Sequence, residues 1–237
     1  MGLFTDEVYN LLGIHLSDRQ RAAFDLYARE LVEWNRKFNL TSITDPEQVR
    51  IKHFLDSLSC WLAIREQPPG RLVDVGTGAG FPGIPLKIIQ PDLQLTLIEA
   101  TGKKAGFLLH LVQFLRLEGV HVATNRAEEF GQVRAHREAF DWAVARAVAP
   151  LAVLAEYLLP LVKLGGYALA QKGKDAAAEV AAAKFAINKL GGELSEPKKV
   201  DVPGLDEERH LIIIKKISPT PETYPRRPGT PSKRPLS

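Results

Sequence analysis

A strand pattern that breaks abruptly into a glycine-rich turn constrains this chain more than any other feature. Residues 71–75 read Arg-Leu-Val-Asp-Val, and four glycines follow within eight residues, at positions 76, 78, 80 and 83. Glycines permit positive φ and close backbone approach to a ligand, and the helix predicted after them would point free N–H groups at an anion. A tight strand-to-helix connection gives a similar pattern. Four glycines exceed what such a turn needs, because each one costs chain entropy, so we predict a nucleotide-type binding loop.

Two acidic residues beside this loop indicate which ligand it would hold. Asp74 lies two residues before the first glycine, and the predicted strand 94–99 ends in Glu99, 23 positions after Gly76. An acid at this distance binds ribose hydroxyls in dinucleotide-binding folds. Dehydrogenases share the layout, but an acid directly ahead of the glycines is more common in S-adenosylmethionine-dependent methyltransferases. The motif therefore favours a methyl donor over a nicotinamide cofactor.

Length and composition exclude several classes of protein. The 237 residues can form one large domain with an extension, and no apolar run approaches the ~20 residues of a membrane span. The N-terminus lacks a signal-peptide pattern, so we expect a cytoplasmic protein without membrane contact. We also expect a monomer. Cys60 is the only cysteine and the six histidines show no metal-ligand spacing, so we expect neither a disulfide nor a metal site.

The first 65 residues predict helices and no strand. Ser17 and Gln20 form a capping box, and apolar residues then recur at helical spacing. This stripe, which we interpret as core, consists of Phe24, Tyr27, Leu31, Trp34 and Phe38. A second helix is predicted to begin with Asp45 as its N-cap, and it carries His53 and Asp56 on one face. From spacing alone, this pair indicates a surface or packing interaction.

From residue 71 onward, predicted strands and helices alternate. The seven strands are expected at 71–75, 94–99, 120–124, 140–145, 167–171, 193–202 and 209–217. Repeated strand–helix units imply a mostly parallel sheet covered on both faces, with ligands at the carboxyl ends of the strands. A Pro-Gly loop between the last two strands favours a hairpin there. The chain is thus predicted to be α/β, with a helical extension over 1–65, a Rossmann-like domain over 66–217 and a tail over 218–237.

The tail differs in composition from the rest of the chain. Residues 218–237 contain six prolines, four basic residues and one acidic residue. Such a segment is not expected to build a core and should be extended or disordered on its own. Two interpretations are open, a solvated tail and an arm that contacts RNA phosphates. If the arm exists, deleting the tail should weaken RNA binding and leave S-adenosylmethionine affinity unchanged.

Six short motifs occur in order along residues 20–216. They are Trp34-Asn35-x-x-Phe38-Asn39-Leu40-Thr41-Ser42, His53-x-x-Asp56-Ser57, the loop from Asp74 to Pro85, Arg126-Ala-Glu-Glu129, Arg146-Ala147 and Glu208-Arg209-His210. Together they resemble the RsmG (also called GidB) family, bacterial methyltransferases that modify guanine N7 in small-subunit ribosomal RNA. The resemblance implies a class I methyltransferase with a seven-stranded sheet. It also implies S-adenosylmethionine as cofactor, S-adenosylhomocysteine as product, and 16S ribosomal RNA or the small-subunit particle as partner.

The motifs also predict which residues bind the cofactor. The predicted set is Asp74, Gly76, Gly78, Phe81, Glu99, Ala100, Thr101, Ala127, Glu128 and Arg146. By the resemblance, Glu99, Ala100 and Thr101 would meet the ribose, and Ala127 with Glu128 would border the adenine. Arg146 is predicted to be a positioning group beside the guanine or the cofactor carboxylate. Its alternative is an ion pair with Glu128 or Glu99.

The sequence after the fourth predicted strand bears on the methyl acceptor. Amino-nitrogen methylation of adenine would need an Asn- or Asp-Pro-Pro-aromatic motif, whereas this chain has Ala145-Arg146-Ala147-Val148. Pyrimidine C5 methylation would need a cysteine nucleophile near the sheet, and Cys60 lies in the extension. Guanine N7 has an exposed lone pair and loses no proton, so alignment and electrostatics suffice. We therefore predict no covalent or acid–base catalytic residue.

Eight residues are candidates for contact with the RNA substrate. They are Asn39, His53 and Asp56, expected to form a wall above the cofactor, and the basic residues Lys103, Lys104, Lys172, Arg226 and Arg227. Lysines in the first turn of a helix oppose the helix dipole, which favours a phosphate contact for Lys103 and Lys104. Two other functions remain open, an NAD-dependent oxidoreductase and an RNA-binding assembly factor without turnover.

Overall fold

The computed structural model describes residues 2–236, and a sheet lies at its centre. The strands are β1 Arg71–Val75, β2 Gln94–Ile98, β3 Val120–Ala123, β4 Phe140–Arg146, β5 Val162–Lys172, β6 Gly192–Leu194, β7 Lys198–Val200 and β8 Arg209–Lys216. Their order is β3-β2-β1-β4-β5-β8-β6, with β7 also paired to β8. The first five run parallel, and β8 is antiparallel to β5, β6 and β7. The strand order reverses at β1 and β4, which is where open α/β sheets bind ligands.

Helices precede the sheet and cover both of its faces. They are α1 Gly2–Leu12, α2 Asp18–Asn35, α3 Pro46–Gln48, a π-helical segment Val49–Leu55, α4 Asp56–Leu58, α5 Trp61–Ile64, α6 Gly83–Ile89, α7 Gly102–Phe114, α8 Ala127–Gln132, α9 Leu151–Leu158, α10 Ala176–Lys189 and α11 Thr230–Lys233. The predicted capping box of Ser17 and Gln20 and the predicted N-cap Asp45 are both confirmed. Across residues 2–236, no helix is long and apolar enough to cross a membrane.

A hydrophobic layer lies on each face of the sheet, because successive residues of a strand point to opposite sides. On one face, Leu72 and Trp142 pack with the N-terminal helices, α6 and α7. On the other, Val73 and Ala143 pack with α8, α9 and α10. The predicted aromatic stripe belongs to the first layer, as expected for core residues. The extension therefore shares a core with the sheet, while the boundaries at residues 65 and 217 stay a prediction.

The strand count differs from the prediction at the antiparallel edge. The stretch 193–202, predicted as one strand, forms β6 and β7 with Pro197 between them. Proline has no N–H to give to the ladder, so seven predicted strands become eight. β5 begins at Val162 instead of residue 167, and its pairing with β4 shifts register between Phe140 and Trp142. The predicted hairpin is confirmed, since β7 and β8 pair from Lys198 opposite Leu211.

The tail is not a solvated segment, which was one of the two predicted interpretations of it. Residues after β8 fold back onto the domain, where Thr220, Pro225 and Pro231 are buried. Arg137 donates hydrogen bonds to the carbonyl oxygens of Thr220 and Tyr224, at 2.6 Å each. Composition was misleading because a proline-rich segment needs no helix or strand of its own when neighbouring side chains satisfy its carbonyl groups.

Candidate active site

The glycine loop leaves β1 with the geometry that its sequence predicts. Gly76, Gly78 and Gly80 have φ of 68°, 61° and 105°, in the left-handed region. A Cβ on Gly78 would meet no atom within 4 Å, so this residue faces open space. Gly83 is different, because its φ is not positive. It needs glycine for close approach, since a Cβ there would lie 2.8 Å from Asp74 Oδ2.

Asp74 lies beneath the loop and holds it in shape. Its side chain is fully buried, and Oδ2 accepts hydrogen bonds from Thr77 Oγ1 at 2.6 Å and from the Gly83 N–H at 2.8 Å. Burial raises the pKa of this carboxyl to about 6, against the lowering effect of those two hydrogen bonds. Among the described side chains, Asp74 Oδ1 is the one buried polar atom without a hydrogen-bond partner. Buried acceptors are normally satisfied, so Oδ1 fits a donor supplied by a ligand.

Glu99 follows β2 and faces the same loop. Its Oε2 accepts a hydrogen bond from the Gly78 N–H at 3.0 Å, and its Oε1 accepts one from the Thr101 N–H at 2.7 Å. The side chain is 7% exposed. Each carboxylate oxygen has a second lone pair, so the pair can also accept two hydroxyl groups of a ribose.

A cavity of about 220 Å³ opens beside these acids. Its wall consists of Val75, Gly76, Ile98, Ala100, Asn125, Arg126, Ala127, Glu128, Val148, Ala149, Tyr157 and Ser232. The cavity brings together Gly76, Ala100, Ala127 and Glu128 of the predicted cofactor set. Phe81 is not in this wall, because its ring stacks between Tyr27 and His53, at 5.2 Å and 4.4 Å between ring centroids. The backbone of Phe81 is part of the glycine loop, whereas its side chain packs against the helical extension.

Tyr27 connects the helical extension to the glycine loop, which the sequence did not reveal. Its hydroxyl donates a 2.5 Å hydrogen bond to the Ala79 carbonyl, and a Cβ on Gly80 would come within 2.7 Å of the same oxygen. The extension thus fixes the loop at Ala79, in addition to the contacts that Asp74 makes with Thr77 and Gly83. Spacing assigned Tyr27 correctly to the core, but the partner of its hydroxyl lies 52 residues away in the sequence.

Arg146 ends β4 and reaches across to the extension. Its Nη1 donates hydrogen bonds to Asp56 Oδ2 and to the Lys52 carbonyl, both at 2.8 Å, and its guanidinium lies 5.2 Å from the centre of the Phe81 ring. The predicted alternative, an ion pair with Glu128 or Glu99, is wrong. The acid that pairs with Arg146 is Asp56, 90 residues earlier, a distance over which spacing carries no information.

Asp56 is the centre of a buried polar cluster. Besides Arg146, its carboxylate accepts hydrogen bonds from Arg209 Nε at 2.9 Å and from Gln171 Nε2 at 2.8 Å. Its side chain is 5% exposed, so two guanidinium groups share one desolvated acid. Gln171 and Arg209 were not predicted site residues. The topology explains them, because β8 begins antiparallel to the end of β5 and so places Arg209 beside Gln171.

His53 lies between Arg146 and Thr41. Its Nε2 is 2.9 Å from Thr41 Oγ1, and its Nδ1 is 3.4 Å from Arg146 Nη2. Because the guanidinium can only donate, the partners assign the neutral tautomer with hydrogen on Nε2. Burial, and after it the charge of Arg146, lowers the pKa of His53 from 6.5 to about 4. His53 is therefore neutral at pH 7.

This pKa predicts an acid-sensitive contribution to stability. His53 takes up a proton at pH 6.5 in the unfolded chain but only at about 4 in the folded one. The unfolded state therefore binds more protons between these values, and the free energy of unfolding falls as pH falls through them. We expect the unaltered chain to lose about 2 kcal/mol more than His53→Gln between pH 7.5 and 5 in urea unfolding. Titration of Asp74 contributes equally to both proteins, so it drops out of the comparison. If the unfolding free energies of the two proteins changed in parallel with pH, the lowered pKa of His53 would be contradicted.

A second cavity of about 690 Å³ opens above the polar cluster. Its lining includes His53, Asp56, Arg146, Gln171 and Arg209. It also includes Val148 and Ala149, which line the smaller cavity as well. The two cavities are thus neighbours across the loop that follows β4. The smaller one meets the glycine loop, and the larger one has the volume of a small-molecule pocket.

The remaining predicted RNA contacts divide into exposed and buried groups. Asn39, Lys103 and Lys104 line one groove of about 300 Å³ together with Thr101, and Lys103 Nζ lies 5.7 Å from the Phe38 ring centre. Lys172 is not on a free rim. Its side chain is 11% exposed and its Nζ lies 2.7 Å from Glu179 and 2.6 Å from the Ala149 carbonyl. Lys172 also lines the larger cavity, so its contact with RNA stays a prediction.

Arg226 and Arg227 are adjacent in the tail but differ in surroundings. Arg226 donates to both oxygens of Glu156, whose side chain is 1% exposed, with Nη2 at 2.7 Å from Oε2. Arg227 is exposed. Arg226 therefore holds the tail in place, against the prediction of an RNA contact, and Arg227 is the one of the pair that can reach a phosphate.

The surroundings of Cys60 and the placement of the possible metal ligands bear on which reactions the site can perform. The Cys60 thiol is buried, with Sγ 3.6 Å from Gln171 Oε1, and burial raises its pKa. A thiol of this kind is not a nucleophile. Within residues 2–236, no group of three His, Cys, Asp or Glu side chains lies close enough to hold a metal ion.

Comparison with known proteins gives matches along most of the chain. A family model described as GidB, rRNA small subunit methyltransferase G, matches residues 20–212. Two curated relatives, both called Ribosomal RNA small subunit methyltransferase G, are 50% identical. The Alkaliphilus metalliredigens protein matches over 95% of this chain and 94% of its own length. The Roseiflexus castenholzii protein matches over 94% and 95% respectively.

One solved structure is similar to this chain in fold. Magnesium protoporphyrin IX methyltransferase from Synechocystis, determined with bound S-adenosylmethionine, matches with a TM-score of 0.55 over 85% of this chain and 98% of that one. The sequence identity is 14%, so this likeness bears on the fold alone. The predicted Rossmann-like class I methyltransferase fold is confirmed.

Proposed function

The chain belongs to the rRNA small subunit methyltransferase G (GidB) family, and from this premise we propose that it methylates N7 of a guanine in small-subunit ribosomal RNA. It is an S-adenosylmethionine-dependent enzyme acting on small-subunit ribosomal RNA. The observation that carries the proposal is the pair of neighbouring cavities. One meets the glycine loop, the other is lined by the polar cluster, and Val148 and Ala149 contact both.

The smaller cavity and the loop fit the cofactor. When bound, S-adenosylmethionine supplies a methyl group activated by a sulfonium. Glu99 would accept the ribose hydroxyls, with Ala100 and Thr101 beside it, and Ala127 and Glu128 would border the adenine. Asp74 Oδ1, buried and without a partner, fits the ammonium group of the methionine moiety. The loop N–H groups of Gly76 to Phe81 would pass close to the same moiety.

The larger cavity fits the target base. Arg146 and Arg209 are held by Asp56 at its wall, where a guanidinium would donate to guanine O6 and leave the N7 lone pair free to attack the methyl group. We assign Arg146 as a positioning residue, because it joins β4 to His53 and Asp56 of the extension. Asn39 lies farther out, in the groove with Lys103 and Lys104.

The hydrogen bonding and the protonation of the acidic and basic side chains at this cavity agree with guanine N7 as the methyl acceptor. Asp56 is fully engaged by donors, and the lowered pKa of His53 leaves it a weak base. A reaction that removed a proton from an amino group would need a free general base near the methyl group. Guanine N7 carries a lone pair and no proton, so in-line displacement needs only alignment and a suitable electrostatic setting.

Substitution of the acceptor atom tests this proposal directly. Small-subunit RNA transcribed with 7-deazaguanosine has carbon in place of N7 at every guanine, and it can be assembled into particles beside an ordinary transcript. We expect methyl transfer to the ordinary substrate and none to the 7-deaza substrate. Equal transfer to both would refute N7 as the acceptor. Binding of the two RNAs should be measured in parallel as the control.

Three basic residues are proposed to contact RNA phosphates: Lys103 and Arg227, which are exposed, and Lys104, which is partly exposed. Each phosphate contact releases a counterion, so the logarithm of affinity falls with the logarithm of salt. We expect Lys103→Gln with Lys104→Gln to reduce that slope by about 1 to 2, with S-adenosylhomocysteine affinity unchanged. Lys184→Gln with Lys189→Gln, on the distant α10, is the charge-matched control. A slope equal to that of the control would contradict the proposal.

We also propose that the protein acts as a monomer in the cytoplasm, where small subunits are found. Size-exclusion chromatography with light scattering tests the monomer.

A further inference from the structure

The tail is fixed to the domain at two buried charged points. At the first, Lys216 is fully buried, forms a hydrogen bond with Thr220 Oγ1 and an ion pair with Glu138 at 3.2 Å. At the second, Glu156 accepts hydrogen bonds from the Arg226 backbone N–H at 2.7 Å and from its guanidinium at 2.7 and 2.9 Å. Charge-assisted contacts of this bidentate kind are strong and directional. They set the position of the residues that follow Arg226.

Those following residues reach the smaller cavity. The Gly229 N–H donates a 2.8 Å hydrogen bond to Oε1 of Glu128, a cavity residue that is 3% exposed. The turn α11 begins at the next residue, and its Ser232 lines the cavity with Tyr157 and Glu128. Ser232 Oγ donates a 3.1 Å hydrogen bond back to the Gly229 carbonyl oxygen, which closes the turn. Residues of the tail, α8 and α9 therefore form one wall of the cavity.

We propose that residues 229–232 form the adenine-side wall of the cofactor site, and that docking of the tail through Arg226 and Glu156 sets cofactor affinity. The inference rests on the proposed assignment of this cavity to the cofactor. Without the tail, Glu128 loses its backbone donor and the cavity opens to solvent on one side. A cofactor would then bind to a wider and less ordered pocket. Gly229, Ser232 and Tyr157 thereby join the cofactor site.

This inference reverses the expectation that deleting the tail leaves cofactor affinity unchanged. Because coupling between two sites is reciprocal, a tail that strengthens cofactor binding must itself be stabilised by the cofactor. A tenfold gain in one affinity requires a tenfold gain in the other. The two effects can be measured independently, one in variants and the other in the unaltered chain.

Calorimetric titration with S-adenosylhomocysteine is the first test. We expect Arg226→Ala to weaken binding about tenfold, and a chain that ends at Pro221 to weaken it at least as much. Arg234→Ala, which removes the same charge from an exposed position of the same segment, should bind like the unaltered chain. Equal affinity in the unaltered chain and in both tail variants would overturn the inference.

Hydrogen exchange of the unaltered chain is the second test, and it does not depend on how the variants fold. We expect saturating S-adenosylhomocysteine to slow exchange of the amides in residues 222–236 about tenfold. Unchanged exchange there, with ligand bound and the amides of the glycine loop protected, would overturn the inference while leaving the cofactor assignment intact. No binding to the unaltered chain would refute that assignment, and the inference with it.

Discussion

Replacing Asp56 with alanine is expected to reduce methyl transfer at least a hundredfold and to lower the free energy of unfolding by about 3–5 kcal/mol. Arg146 and Arg209 are both paired with this buried carboxylate, and Gln171 also donates to it. Its removal leaves two guanidinium groups without their acid in a poorly solvated site. They would repel each other and move, so the base-binding wall would lose its alignment.

Activity and stability can be separated in this test. Initial rates at saturating RNA and cofactor give the loss of activity, and urea unfolding gives the loss of stability. Asp56→Asn keeps the shape and one carbonyl acceptor, so it should retain more stability than alanine and still transfer methyl slowly. Glu33→Gln is the control, because Glu33 pairs with Arg36 at the surface, more than half exposed, where a single pair contributes at most about 1 kcal/mol. An Asp56→Ala enzyme with normal rate would refute the role of the cluster.

Replacing Glu99 with glutamine is expected to weaken S-adenosylhomocysteine binding about ten- to a hundredfold. Both oxygens of Glu99 accept backbone N–H groups, from Gly78 and Thr101. An amide has one acceptor oxygen, so its NH₂ group would face one of these N–H groups or the ribose. Loss of one hydrogen bond to a charged group costs about 1.5–3 kcal/mol. A cost of this size raises the dissociation constant roughly ten- to a hundredfold.

Calorimetric titration measures this effect directly. Glu118→Gln removes the same charge from an exposed position between α7 and β3 and serves as the control. An unchanged dissociation constant in Glu99→Gln would place the ribose elsewhere. Because Glu99 lies under the loop as well as beside the ribose site, the circular dichroism spectrum of the variant should be compared with that of the unaltered chain.

The sequence predicted the parts of the site that depend on local backbone. The glycine loop could be located because left-handed φ at Gly76, Gly78 and Gly80 is rarely adopted by other residues. Glu99 could be located because strand, loop, helix and strand follow in a fixed order, so the end of β2 must lie beside the end of β1. The His53 and Asp56 pair was predicted to share a face, and both do meet Arg146.

The sequence did not predict the partners of charged residues. Arg146 pairs with Asp56 across 90 positions, and Arg226 pairs with Glu156 across 70. Such pairs depend on how helices and strands pack in three dimensions, so the spacing of residues along the sequence does not predict them. For the same reason, Lys172 and Arg226 were expected to be free for RNA. The π-helical segment Val49–Leu55, which carries His53, was predicted only as ordinary helix, and such segments are frequent at functional sites.

The tail shows most clearly where composition misleads. Six prolines and a net positive charge predicted a segment without fixed structure. That argument assumes that the segment must bury its own apolar surface. Here the domain provides buried acids and donors for it, including Glu156 and Arg137. Several of the contacts that order the tail therefore come from residues more than 60 positions away.

Transfer of labelled methyl groups from S-adenosylmethionine tests the central claim most directly. Unmodified small ribosomal subunits and their naked RNA are each incubated with the protein, and the RNA is then digested to nucleosides and separated. The account predicts label in 7-methylguanosine alone, with the preferred substrate form identified by the faster incorporation. Label in another nucleoside, or no label although S-adenosylmethionine binds, would contradict it.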